Sequence, residues 1–240
     1  MENTQEIRQI RGNDYITENI YFNKKQSMYY RLDTDHLDMV REARREFGRK
    51  VPFGPDDVIL DLGAHVGGYG CYVANTVKNV VCVEAAPDTY EILKRNAGQY
   101  TNVTAIHSVC IGDNRPFVDL YLSKKHTGKG SCMASIVHTR GKGSSVQVPT
   151  VNFANLLTDY KPTMIKCDTE AAEYEYDWSN LPTHVHSVML ELHLMSKAKT
   201  EKARNLVNSL KSQGYEILDE DKLWDLVDAK VNLICNAVRK

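Results

Sequence analysis

Val58-Ile-Leu-Asp-Leu-Gly-Ala-His-Val-Gly-Gly-Tyr-Gly70 is the stretch on which the reading of this chain turns. An apolar run ends in Asp61, turns at Gly63 and opens into a helical pattern past Gly67 and Gly68. A strand that feeds a glycine-rich turn and then a helix start is a device for holding a nucleotide-like cofactor. Glycines let the backbone turn tightly and approach the ligand, and the free N–H groups of the helix start face it. The spacing is Asp61-x-Gly63-x-x-x-Gly67 rather than G-x-G-x-x-G, because His65 fills the middle position. An NAD oxidoreductase would need the glycine that His65 replaces. Turns of this kind also occur with no ligand at all.

Outward from that turn, strands and helices alternate. Apolar runs predict strands at 57–62, 79–84, 103–107, 163–168, 186–193, 215–219 and 231–237, and helical spacing predicts helices at 67–76, 87–98, 152–159, 171–178 and 198–213. Such alternation implies a mostly parallel seven-stranded sheet with helices on both faces, a Rossmann-like α/β fold. Glu220 to Lys230 shows no crossover helix, which suits an antiparallel last strand. Residues 1–50 read as an N-terminal cap or lid, with short tyrosine-rich strands and one helix from His36 to Phe47 after the capping sequence Asp33-Thr-Asp35. The aromatic residues of that segment (Tyr15, Tyr21, Phe22, Tyr29 and Tyr30) read as core in preference to an acceptor-pocket lid. Residues 51–240 form the main domain, interrupted by a hairpin insertion at 116–151. The loop at 123–145 carries five Lys or Arg residues (Lys124, Lys125, Lys129, Arg140 and Lys142) and no acid. A loop this long is functional or a solvated, mobile hairpin tip.

The 240 residues are 42% hydrophobic, enough for a sizeable core, and the formal net charge of −1 gives no whole-molecule attraction to nucleic acid or membrane. Six cysteines without a C-x-x-C pair read as small core residues of a reducing compartment. The polar N-terminus and the absence of a bilayer-length apolar run predict a soluble, cytoplasmic protein with no membrane partner.

Acids stand where the sheet should be apolar. Glu84 ends the second strand 23 residues after Asp61, in place to accept both ribose hydroxyls of an adenosine cofactor. Asp168 ends the fourth strand, ahead of Glu170 and Glu173, while Glu191 and His193 share one face of the fifth. Central strands are covered on both sides, so ionisable groups there are costly unless paired or used. Structural readings stand beside the functional one: Glu84 as a surface acid, Glu191 as an ion-pair partner, His193 as a satisfied histidine.

Asp61-Leu-Gly-Ala-His-Val-Gly-Gly-Tyr, Val83-Glu-Ala-Ala-Pro, Val146-Gln-Val-Pro-Thr-Val, Ile165-Lys-Cys-Asp-Thr-Glu-Ala-Ala-Glu and Glu191-Leu-His, taken in order, resemble the FkbM family of S-adenosylmethionine (SAM)-dependent methyltransferases over roughly residues 55–195. The resemblance implies a class I methyltransferase fold and O-methylation of a sugar, glycan or hydroxylated metabolite. It implies SAM contacts from Asp61, Gly63, Ala64, His65, Gly67, Glu84, Ala85 and Asp168. His65 stands where the family usually has Asn and Ala171 where it has Gly, and Phe153-Ala-Asn-Leu lacks its usual pair of acids. The catalytic set is then Asp168, Glu191 and His193, with His193 the base for the acceptor hydroxyl because imidazole titrates near neutrality. Alternatively Asp168, Glu170, Glu191 and His193 hold Mg²⁺ or Mn²⁺ and acidify that hydroxyl. Two rivals stay open: a nucleic-acid methyltransferase whose 123–145 loop tracks phosphates, and a SAM-binding module without turnover.

Overall fold

The computed structural model describes residues 9–10, 13–17, 19–32, 34–48, 50–123, 134–136, 142–194, 196–224 and 232–239. In chain order the N-terminal part contributes β1 (Gln9–Ile10), β2 (Asn13–Thr17), β3 (Ile20–Asn23), β4 (Met28–Arg31) and helix α1 (His36–Phe47). Then follow β5 (Val58–Leu62), α2 (Gly70–Val73), β6 (Asn79–Glu84), α3 (Pro87–Ala97), β7 (Val103–His107), β8 (Val109–Ile111), β9 (Phe117–Ser123) and β10 (Lys142–Asn152). The last part holds α4 (Phe153–Tyr160), β11 (Met164–Cys167), β12 (Ser187–Leu192), α5 (Lys197–Ser212), β13 (Tyr215–Leu218), α6 (Glu220–Leu223) and β14 (Leu233–Arg239).

Seven strands form the main sheet in the order β13-β14-β12-β11-β5-β6-β7. β5, β6, β7, β11 and β12 are parallel, and β14 runs antiparallel between β12 and β13. This is the mostly parallel, Rossmann-like sheet expected from the alternation. Side chains alternate across it. Leu60, Leu62, Ile165 and Leu190 face the α4 and α5 side with Leu156, Leu206 and Leu210, whereas Ile59, Val80 and Met164 face Phe47, Tyr69, Val73 and Leu93. Each such side chain removed from water contributes about 1.5–3 kcal/mol. Phe153 lies between Tyr176 and Trp178, ring centroids 5.2 and 4.9 Å away. Pro87 opens α3, and side-chain oxygens of Asn152 and Ser196 cap α4 and α5.

β1 to β4 form a separate four-stranded meander. Asn96 of α3, fully buried, fastens it: its amide oxygen accepts from the N–H of Tyr29 at 2.7 Å, and its NH₂ donates to the carbonyls of Tyr29 (3.1 Å) and Val66 (2.8 Å). Tyr21 and Tyr30 are buried against each other, as a core reading of these aromatics expects.

Several boundaries differ from expectation for local reasons. α2 begins at Gly70, not 67, because His65 and Gly67 both have positive φ, which no right-handed helix accommodates. The helix expected at 171–178 is a single 3₁₀ turn, Ala172–Glu175, because Glu170 and Ala171 are left-handed (φ 51° and 75°). Ala171 thus holds a conformation in which glycine costs nothing. Asp35 precedes α1 without a side-chain cap bond. The 220–230 stretch, expected to hold no crossover helix, starts with the four-residue α6, and the strand that follows is antiparallel as expected.

The insertion strands are present. β9 and β10 pair antiparallel, and β10 also pairs with β8, which the sequence did not suggest. Lys124, Lys125, Lys129 and Arg140 of the basic loop lie outside the described residues, as do Cys132 and the first eight residues. Five other cysteines are buried free thiols. Among the described residues no helix is long and apolar enough to cross a membrane.

Candidate active site

β5 leads to β6 on one side and has β11 on the other, so the carboxyl ends of β5 and β11 flank the point where the winding of the sheet reverses. Open α/β sheets hold ligands in the crevice that forms there. A cavity of about 280 Å³ opens at this place, walled by Gly63, Ala64 and His65 after β5, by Glu84 and Ala85 after β6, and by Asp168, Thr169 and Glu170 after β11. Glu191 and Asn232 close one side, Glu42 and Glu46 of α1 another, and Ala134, Ser135 and Ile136 of the insertion a third. Six of the eight residues expected around a cofactor line this wall; Asp61 and Gly67 stand behind it.

The turn is built by its backbone. Gly63 (φ +70°) lets its own N–H and that of Ala64 donate to the Val83 carbonyl, each at 3.0 Å. Glu84 ends β6 buried, and its carboxylate accepts from the N–H groups of His65 (2.9 Å) and Ala86 (2.8 Å). Burial, opposed by these bonds, pushes its pKa up to about 7.

Lys166 was not singled out by the sequence reading, yet it sits at the centre. It is 3% exposed, and its ammonium donates to the Gly63 carbonyl at 2.8 Å and pairs with Asp61 at 3.2 Å and Asp168 at 3.6 Å. Burial disfavours its charge, but the charges of Asp61 and Asp168 outweigh burial and hold the ammonium charged. Asp61 therefore serves the scaffold: one oxygen faces Lys166 and the other accepts from Gly70 N–H at 3.2 Å.

Asp168, Glu191 and His193 come together, each with a ligand-capable atom within 4.8 Å of the others. His193 does not line the cavity but lies directly behind it, 1% exposed. Its Nδ1 is 3.0 Å from Glu173 Oε1, which also accepts the His193 N–H at 3.1 Å, while Thr169 Oγ1 donates to the other Glu173 oxygen at 3.3 Å. Burial would lower the imidazole pKa; the Glu173 bond and the charges of Glu173, Glu170 and Glu191 override it and push it up to about 10. His193 is thus held as imidazolium rather than titrating near neutrality. Burial and the Asp168 charge push Glu191 up to about 9, so the proton that Asp168 and Glu191 share rests on Glu191. Ser135 Oγ reaches from the insertion to the Glu170 carbonyl at 2.8 Å.

No family model matches the chain. Among solved structures it is similar to precorrin-6y C5,15-methyltransferase from Geobacter metallireducens GS-15, at 12% identity and a TM-score of 0.45, over 85% of this chain and 88% of that one. It is similar to Aeropyrum pernix fibrillarin with natively bound S-adenosyl-L-methionine, at 13% identity and a TM-score of 0.44, over 83% and 74%. Methyltransferase FkbM from Methylobacillus flagellatus KT matches at 14% identity and a TM-score of 0.46, over 73% of this chain and 43% of that one. The likeness is one of fold. Residue roles come from the geometry of this chain alone.

Proposed function

We propose that the chain is a SAM-dependent O-methyltransferase acting on a hydroxyl of a sugar, glycan or hydroxylated metabolite. The observation that carries this reading is Glu84, a buried carboxylate in the cavity wall at the end of β6, one strand from the reversal of the winding. Its place and chemistry suit the two ribose hydroxyls of an adenosine cofactor, and Gly63 and Ala64 give the backbone close approach beside it. SAM, when bound, supplies an electrophilic methyl group on sulfur. The chain's part is to hold the acceptor oxygen in line with that methyl, the source of most of the acceleration. Asp168, the ionised member of its pair, orients the acceptor hydroxyl and takes its proton; Glu191 flanks it, and His193 positions both from behind. Among the described residues that line the cavity, Glu42, Glu46, Asp168, Glu170 and Glu191 stand against one Lys or Arg, Lys166. An uncharged polyol fits such walls, whereas a phosphate-bearing acceptor would meet like charge.

Glu84→Gln is expected to weaken SAM binding about tenfold in calorimetry, since hydrogen bonds to a charged group are worth about 1.5–3 kcal/mol. Because burial holds Glu84 up to about 7, SAM affinity of the native chain should rise with pH to that point and then level off. The sign for stability is opposite. A raised carboxyl pKa means that the folded state keeps the proton, so its contribution is present below the ordinary 4.5 and is lost as pH rises through about 7. The ligand-free melting temperature should therefore carry a downward component between those values that Glu84→Gln removes.

The function itself is tested with methyl-labelled SAM and fractionated extract, native chain beside Asp168→Asn. Label in carbohydrate or small hydroxylated metabolites, lost in the variant, supports the reading. Label in RNA would replace the acceptor class, and SAM binding without transfer to any fraction would leave a binding module.

A further inference from the structure

We propose that Asp168, Glu191 and His193, with Glu170 beside them, form a site for one divalent cation of the Mn²⁺ kind. An acidic cluster alone would not carry this. The decisive feature is the far nitrogen of His193. The side chain is 2% exposed, yet Nε2 has no hydrogen-bond partner and is turned towards Glu170 Oε2 at 3.7 Å and Glu191 Oε2 at 4.0 Å. Those separations are too long for hydrogen bonds. They match two ligands that each lie about 2 Å from a shared ion.

The rear of the imidazole is arranged to the same end. A carboxylate behind a histidine accepts from Nδ1–H and so fixes which ring nitrogen faces forwards; an ion at the site displaces the second proton, which the ligand-free imidazolium carries on Nε2, and takes its lone pair. Glu173 stands there at 3.0 Å, fully buried and immobilised by Thr169 and by the His193 N–H. On the cavity side three carboxylates, Asp168, Glu170 and Glu191, converge, while Lys166 divides its ammonium among Asp168, Asp61 and the Gly63 carbonyl.

The donor set selects the ion. Carboxylate oxygens favour Mg²⁺, Ca²⁺ and Mn²⁺, and one imidazole tips the choice towards Mn²⁺; with no thiolate in the set, soft metals gain nothing. The site does not depend on methyl transfer. Only its use does, since an ion at this wall would supply Lewis acidity towards the acceptor hydroxyl.

The test is an electron paramagnetic resonance titration of the full chain with Mn²⁺, after EDTA treatment and without SAM. The expected result is one bound Mn²⁺ per chain with a ¹⁴N imidazole coupling in the electron spin echo. Glu173→Gln should weaken binding about 10- to 100-fold, and His193→Ala should remove the nitrogen coupling. Glu191→Gln, at a partly exposed position, should weaken binding with the circular dichroism unchanged, and it carries the test if His193→Ala does not fold. Free Mn²⁺ undiminished by the native chain, or binding indifferent to Glu173→Gln and Glu191→Gln, overturns the site. SAM is added last. Mn²⁺ retained in its presence supports the proposal; competitive release assigns the carboxylates to the cofactor's ammonium group and overturns it. A chain that binds Mn²⁺ but never SAM keeps this site while the methyl-transfer reading falls.

Discussion

Lys166→Met should cost about 3–5 kcal/mol of stability, the price of leaving a carboxylate buried without its counter-ion. Asp61 is fully buried, and without the ammonium at 3.2 Å it retains a single hydrogen bond, from Gly70 N–H. The Gly63 carbonyl loses its 2.8 Å donor in the same step, so the cofactor turn loosens along with the sheet. The cation also lies over the ring of Phe47, 5.2 Å from its centroid, a smaller favourable contact that methionine replaces in part. Urea denaturation of Lys166→Met, Asp61→Asn and the double variant separates these contributions. The double variant should be much more stable than the sum of the two single losses implies, because the uncompensated charge is gone. Strict additivity would mean that the pair does not interact, and the central role given to Lys166 would fall.

Gly63→Ala is the second large effect. A Cβ at position 63 would overlap the Asp168 carbonyl oxygen, so β5 and β11 would have to part just where their ends frame the cavity. The positive φ of +70° alone costs an alanine about 1–2 kcal/mol. The overlap adds to it, for an expected total of about 3 kcal/mol or more, in the range of mutations that strain a special backbone position or overpack a core. Gly214 provides the control. It has φ +88° with open space where a Cβ would go, so Gly214→Ala should show only the conformational cost. Thermal melts of both variants, with SAM calorimetry, check this. Equal losses at the two positions would show that the contact with Asp168 is unimportant.

Much of this was legible in the chain. The main sheet followed from apolar runs of strand length, and the acids at its carboxyl edge stood out because a strand covered on both faces has no other use for them. Lys166 was overlooked because its meaning depends on a partner far away in sequence. Its register neighbour is Asp61, on a strand adjacent in the sheet but distant along the chain. Glu173 could not be ranked for a related reason: its value lies in meeting His193 across a 3₁₀ turn where periodicity suggested a helix. The left-handed pair Glu170 and Ala171 carries no compositional mark, since neither residue type favours that conformation. Glu42 and Glu46 were not singled out in the sequence, because only the docking of α1 brings them to the cavity. The charge state of His193 depends on burial and on three carboxyl groups at once, and no single-residue expectation could supply it.

Asn96 has a consequence for energy transfer through the molecule. One side-chain amide holds both the backbone of β4 at Tyr29 and the Val66 carbonyl inside the cofactor turn. The N-terminal meander and the turn are thereby two loads on one clasp. By linkage, any ligand that tightens the turn must strengthen the seating of the meander by the same factor by which a seated meander strengthens the ligand. Amide exchange at Tyr29, measured with and without ligand, would report how much of the binding free energy travels through that one residue.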